Sequence, residues 1–393
     1  MTRREFTAAI AGASCAGYSS AVAQTGSVMD QNPIRRRGVG LRGLDATRAS
    51  AGFTLFAPMT GDGTVHLIDL RGNIVHQWKL PYPPGLYGYL TGDGTLFYNG
   101  KIPNDTFLGR SPFKGGAALE ADWNGRVLWE VREPNHHHDG RRLRNGNGLL
   151  LCGAELPESV ARRIQGGRPS TEVDGKIWSD YLVELTKDGR KVWEWRAWEH
   201  LDPAEYRITA AQDTRAEWTH GNAVVELADG DLLISFRNLS TIVRIARDSG
   251  RVVWKLGPPP LAGQHAPEPL PNGNILIFDN GPDRLDQAFP FSRVIEVDPT
   301  NNRIVWKYQE AAADNFYSSR ISNAQRLPNG NTLINEGLFG RFFEVTSTGE
   351  VVWEYVNPHF GPPSRPAPAQ TNSVFRAYRY TEEEIARARK TAS

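Results

Sequence analysis

One unit recurs six times along this chain: an apolar strand, a polar turn, then a second strand ending in tryptophan. It appears as Val65–Gly72 followed by Trp78, Leu119–Gly125 with Trp129, and Leu182–Gly189 with Trp193. It returns as Ile242–Gly250 with Trp254, Val294–Asn302 with Trp306, and Phe342–Gly349 with Trp353. Alternating strands joined by Asp, Asn or Gly turns are β-hairpins. A second hairpin precedes five of them, turning at Gly92-Asp93-Gly94, Asn145-Gly146-Asn147, Asp229-Gly230-Asp231, Asn272-Gly273-Asn274 and Asn329-Gly330-Asn331. Two hairpins make a four-stranded antiparallel unit, and repeats at about 40–60 residues are spaced like propeller blades. A single open sheet of so many strands would expose long edges, which a ring removes.

The spacing therefore predicts an all-β chain, a six-bladed β-propeller over residues 51–380 closed by a C-terminal strand. The first copy lacks a strand of its own, and the lone strand Asn372–Tyr380 is expected to complete it. Residues 381–393 read as a short helix or tail, and 24–50 as a linker. The Trp residues are expected to pack between blades.

Residues 1–23 read as a twin-arginine export signal: Arg3-Arg4, a modest apolar run, and the Ala21-Val22-Ala23 end. The expected destination is the periplasm or the exterior. No other stretch has the length of a membrane span. Lys+Arg 45 against Asp+Glu 44 gives no basic excess for a nucleic-acid surface. After signal removal Cys152 is the lone cysteine, which excludes an internal disulfide; it reads as a buried small apolar residue.

Strand order picks out one face of the ring. In a four-stranded blade, the loop before the inner strand and the loop after the second strand lie together. The long insertions Gly153–Trp178 and Ala197–Glu217 both fall in this class. Long loops on a rigid scaffold are where binding usually resides.

The histidines converge on that face. Counting back seven residues from the turns gives His138, Asn222, His265 and Ser322; counting back nine gives His136 and His220. Arg237, Arg284 and Arg320 fall at the same rim, with Asn323 beside Ser322. Imidazoles and guanidinium groups near aromatic rings suit a tetrahedral oxyanion carried on an aromatic group. Hence His220, His265, Arg284 and His138 are candidate site residues. Arg237, His136, Arg320, Asn222 and Asn323 are candidate substrate contacts. A divalent transition metal held by His136, His138, His220 and His265 is an alternative, and a non-catalytic ligand-binding propeller is another. His66, His76 and His359 lie off this constellation; His200 is intermediate.

Glu217-Trp218-Thr219-His220-Gly221-Asn222, Ser235-Phe236-Arg237, Val253–Gly257, Gln264-His265, Asp279-Asn280-Gly281 and Ser292-Arg293 resemble the bacterial arylsulfate sulfotransferases. The closing segment Phe375–Tyr380 is similar as well, and the resemblance covers most of residues 50–380. It implies a periplasmic six-bladed propeller that moves a sulfuryl group between phenols with no nucleotide donor and no required cofactor. It also implies a sulfo-histidine intermediate, with His220, His265 and Arg284 as oxyanion and leaving-group contacts and Arg237 as a weaker one. The partner is then a small aromatic or sulfated molecule. Two departures stand out: residues 310–358, where the resemblance puts the nucleophile, hold no histidine, and the family's disulfide is absent. His136 and His138 are the candidates for a displaced nucleophile.

Overall fold

The structure is a computed structural model that describes residues 38–284, 288–312, 315–361 and 371–392. The export segment expected at 1–23 lies outside them.

Local chemistry sets the strands. The hairpin turns place a glycine where the backbone must adopt positive φ, as at Gly94, Gly146, Gly230, Gly273 and Gly330, with Asn302 in that role in blade V. Between the turns, alternating apolar residues bury one set of side chains on each face. The result is six antiparallel sheets. Blade I comprises Phe53–Pro58, Thr64–Ile68 and Ile74–Lys79, with Val374–Tyr380 added as its innermost strand. Blade II comprises Pro84–Leu90, Leu96–Lys101, Gly116–Ala121 and Val127–Arg132; blade III comprises His136–Arg142, Gly148–Glu155, Trp178–Leu185 and Lys191–Arg196. Blade IV comprises Gly221–Glu226, Leu232–Phe236, Thr241–Ile245 and Val252–Leu256. Blade V comprises His265–Pro269, Ile275–Asp279, Arg293–Asp298 and Arg303–Tyr308. Blade VI comprises Asn323–Arg326, Thr332–Glu336, Arg341–Val345 and Val351–Val356. The fold is the six-bladed propeller expected from the repeat, closed by its C-terminal strand.

Part of the expected linker is structured. Gly40–Leu44 pairs antiparallel with Val351–Val356 as a fifth, outermost strand of blade VI. The helix Glu382–Arg389, capped by Thr381 and Glu384, docks on blades I and II through the buried Ile385 and Ala388.

Six indole N–H groups tie the ring together. Trp78 donates to the Asp122 carbonyl (3.1 Å), Trp129 to Lys187 (2.9 Å) and Trp195 to Gly250 (2.8 Å). Trp254 donates to the Asn302 side chain (2.9 Å), Trp306 to the Ser347 carbonyl (2.8 Å) and Trp353 to Leu70 (2.8 Å). Each bond runs from the outer strand of one blade to the last hairpin turn of the next, and the sixth returns from blade VI to blade I. Blade III differs from the expected pattern: Trp195 makes the latch, whereas Trp193 lies under the Arg247 guanidinium, 3.6 Å from its ring centre. Trp353 is fully buried, while the Trp306 bond is exposed. Trp353→Phe should therefore lose about 0.5–1.5 kcal/mol, because the buried indole gives up its bond to the half-buried Leu70 carbonyl. Trp306→Phe should lose less, since water can replace the indole. Denaturant unfolding of the two variants checks the order.

Candidate active site

The inner strands do not start regularly. Leu86, His138, His220, Ala266, Ile321 and Ser322 all have positive φ, at or beside the first residues of the inner strands of blades II to VI. The ladders of blades II to V slip register at the same places. A non-glycine residue is strained in this region, and a bulge re-aims its side chain. This shared irregularity makes counting back from the turns informative: it sets equivalent residues of different blades at one face.

His138 and His220 come together there. Their rings are 4.8 Å apart, edge to face. Phe113 stacks on His138 at 4.4 Å and meets His220 edge-on at 4.9 Å; Phe375 lies 6.1 Å from His138. Nδ1 of each imidazole is engaged. Nδ1 of His220 lies 2.9 Å from Glu217 Oε2, and Nδ1 of His138 lies 2.7 Å from Nδ1 of His137. Among the described residues, no hydrogen-bond partner reaches Nε2 of either ring.

The segment Glu217-Trp218-Thr219-His220 explains how blade IV supplies its histidine. Trp218 is buried and anchors the segment by donating to the Tyr206 carbonyl (2.7 Å). The Thr219 hydroxyl accepts from the Asp180 N–H (3.0 Å), tying the segment to blade III. Glu217 orients the imidazole. The two insertions support one another, with Arg215 donating to the carbonyls of Gly166 (2.8 Å) and Ile164 (3.0 Å).

Other expected residues take different places. His136 is fully buried between blades II and III: Nδ1 accepts from Gly116 N–H and Nε2 donates to the Asp139 carbonyl, each at 3.2 Å. His265 donates from Nδ1 to Asn280 Oδ1 (2.8 Å) and accepts at Nε2 from Ile321 N–H (3.1 Å). With both nitrogens used, these two rings do not join His138 and His220 in offering four free ligands to one ion. Among the described residues, no group of three or more His, Cys, Asp or Glu side chains has the arrangement of a metal site.

The arginines are partnered. Arg237 pairs with Asp213 (2.9 Å) and donates to Asn238 (2.9 Å), both through Nη1. Arg284 is held by Asp279, which also accepts from Arg293 (2.8 Å). Arg320 is exposed. Asn323 accepts from and donates to the Ala377 backbone (3.0 and 2.9 Å), fastening the closing strand. Asn222 donates to the Gln264 carbonyl (2.8 Å). Both amides thus tie their inner strand to the next blade, while Oδ1 of Asn222 is buried with no hydrogen-bond partner among the described residues.

One group at the axis is not apparent from the repeat. Arg376, on the closing strand, has a fully buried side chain. It donates to the Tyr87 hydroxyl (2.6 Å), Asp139 Oδ2 (3.1 Å) and the Asn222 carbonyl (2.8 Å). Tyr87 in turn donates to Asp139 Oδ1, and Val224 N–H donates to Oδ2 (2.9 Å). Burial pushes the Asp139 carboxyl up, but Arg141 and Arg376 outweigh it and hold it below the usual range. Blades I to IV thus meet at one ion pair beneath His138.

Burial, reinforced by His220, His137, His265 and Arg376, drives the pKa of His138 well below its ordinary value. Burial does the same to His265, takes His136 down to about 3, and takes His66 to about 4. These four rings stay neutral when folded but take up protons when unfolded. Stability should therefore be fully present above pH about 6.5 and fall as acid is added, by up to about 1.4 kcal/mol per pH unit for each ring. Denaturation midpoints between pH 7.5 and 4.5 (roughly the span set by those values) check this; a flat profile contradicts it.

Fold and site together define a six-bladed propeller with a paired-imidazole centre on its loop-rich face. The chain belongs to the arylsulfotransferase (ASST) family, whose sequence profile matches residues 113–358. A curated relative, arylsulfate sulfotransferase AssT of Escherichia coli O6:H1 (strain CFT073), is 24% identical over 326 residues, covering 62% of this chain and 52% of that one. The chain thus spans about half the length of that relative. A protein of unknown function from Bacteroides caccae shares the fold, with a TM-score of 0.51 and 15% identity over 85% of this chain and all of the other. No helix among the described residues is long and apolar enough to cross a membrane.

Proposed function

We propose that this protein is an exported arylsulfotransferase that moves a sulfuryl group from a sulfated phenol to an acceptor phenol. The carrying observation is the His138–His220 pair, with both Nδ1 atoms engaged and neither Nε2 claimed among the described residues. In this reading Nε2 of His138 attacks sulfur. The S–O bond to the donor breaks, its electron pair leaves on the phenolic oxygen, and that oxygen takes a proton from Nε2 of the His220 imidazolium. In the second half His220 removes the acceptor's proton, the acceptor oxygen attacks sulfur, and His138 is released. Atoms and charge balance across the cycle, and neither half needs a metal or a nucleotide.

Arg237 suits the oxyanion. Its two hydrogen bonds among the described residues use Nη1, leaving Nη2 for a sulfuryl oxygen. Fixed donors aimed at developing negative charge lower such a barrier. Arg284, tied to Asp279 and beside the Phe291 ring at 5.1 Å, supports the loop of blade V. Phe113 and Phe375 provide the apolar wall an aryl group needs. Export rests on the twin-arginine motif at Arg3-Arg4.

The test is transfer between two phenols, followed chromatographically with no nucleotide present and after chelation. Sulfated acceptor should accumulate as donor phenol appears. Simple capture of the sulfated phenol, without turnover, would replace the enzyme by a binding module.

A further inference from the structure

The pair is asymmetric in what stands behind it. His220 is backed by one carboxylate. His138 is backed by a second imidazole, and that imidazole by a carboxylate. Nδ1 of His137 lies 2.7 Å from Nδ1 of His138, and Nε2 of His137 lies 3.0 Å from Asp180 Oδ1, which approaches off the N–H axis. His137 and Asp180 are buried. The other Asp180 oxygen accepts the Gly221 N–H at 2.6 Å, immediately after His220. One carboxylate therefore anchors the line behind one ring and the backbone of the other.

We infer that Asp180 and His137 are positioning residues that hold His138 in the tautomer with a proton on Nδ1 and a bare lone pair on Nε2. The inference rests on the sulfuryl-transfer reading for its purpose, not for its geometry. A carboxylate oxygen at 3.0 Å repels a bare nitrogen, so the His137 proton sits on Nε2. His137 Nδ1 must then accept, and the proton between the two rings belongs to His138. Nucleophilic attack needs a lone pair, and the relay leaves it on the nitrogen that no described residue claims. When the N–S bond forms, the His138 ring gains positive charge. Its Nδ1 proton shifts toward His137, whose own charge is balanced by Asp180; the proton returns when His138 leaves sulfur. A partner that orients an imidazole and stabilises its cation is the role of the aspartate in a Ser-His-Asp triad.

Asp180→Asn tests this sharply. The Gly221 N–H still requires an acceptor, so the amide oxygen takes that side and the NH₂ group faces His137. Nε2 of His137 must then accept, its proton moves to Nδ1, and His138 is left with a proton on Nε2. The shape is preserved and the lone pair is lost. A tautomer switch of this kind costs a serine protease on the order of 10⁴ in kcat. For Asp180→Asn we expect a fall in kcat on the order of 10³–10⁴, with KM little changed.

A second readout does not depend on turnover. Two-bond ¹H–¹⁵N spectra of the full-length protein with labelled histidine report which nitrogen of each ring is bare, with His138→Gln identifying its signals. A bare Nε2 on His138 in the wild type, protonated in Asp180→Asn, supports the relay. A protonated His138 Nε2 in the wild type, including one produced by an imidazolium at His137, overturns it. So does an Asp180→Asn enzyme with wild-type kcat, although sulfuryl transfer lost in His138→Ala would then still stand. A wild type that transfers no sulfuryl group refutes the functional reading, and the wild-type spectra alone then decide the relay.

Discussion

His138→Ala should abolish sulfuryl transfer, with kcat falling by on the order of 10⁴ or more, since removing a nucleophile ends the covalent route. His220→Ala should be less severe, at about 10²–10⁴, the range for a general acid–base group. The leaving phenolate can still depart unprotonated, so the His220→Ala deficit should shrink as the donor phenol becomes more acidic, whereas that of His138→Ala should not. Rates measured with sulfated phenols of graded leaving-group pKa separate the roles. Equal and leaving-group-independent losses would mean that the two rings act otherwise than as nucleophile and acid.

Arg376→Ala should have the largest effect on stability, about 3–5 kcal/mol, the usual loss when one partner of a buried pair is removed. The substitution leaves the buried Asp139 with Arg141 (3.4 Å) as its remaining cation and unties the closing strand from blades II, III and IV. The pair itself need not be stabilising relative to apolar residues. The double variant Arg376→Met/Asp139→Leu should therefore recover part of the loss, the remainder being the carboxylate that Arg141 loses. Denaturant unfolding at neutral pH reads both. A loss below about 1 kcal/mol for Arg376→Ala would mean that water reaches the axis and that the ion pair does not hold the ring.

The repeat was legible because hairpin turns and apolar alternation are local. Gly94, Gly146 and their equivalents mark turns whatever the rest of the chain does, and closure by 374–380 followed from the strand missing in blade I. What the local pattern did not show is instructive. Gly40–Leu44 is too short and too polar to stand out, and it becomes a strand only because blade VI offers an edge. Trp195 replaces Trp193 as the latch of blade III by a two-residue offset, which only the position of the neighbouring turn decides. At the site, counting from the turns found His138 at seven residues back and His220 at nine, because bulges recur at equivalent places. It could not tell His136 from His138, two residues apart on one strand yet serving an interblade contact and the site respectively. Nor could it show that His265 has both nitrogens taken, or that Arg320 points to solvent. Asp180, His137 and Arg376 make contacts between blades distant in sequence; for His137 the hint was the run His136–His138, and for Asp180 and Arg376 a charged residue within a largely apolar strand.

The central claim is that the histidine missing from residues 310–358 is replaced by one on blade III. Incubating the full-length protein with a sulfated phenol and no acceptor, quenching in alkali and digesting it tests this most directly. Mass spectrometry should find one SO₃ increment on the peptide Glu133–Arg141, placed on His138 by fragmentation and absent from His136 and His137. An increment on another residue, or sustained transfer with no increment on that peptide, would contradict it.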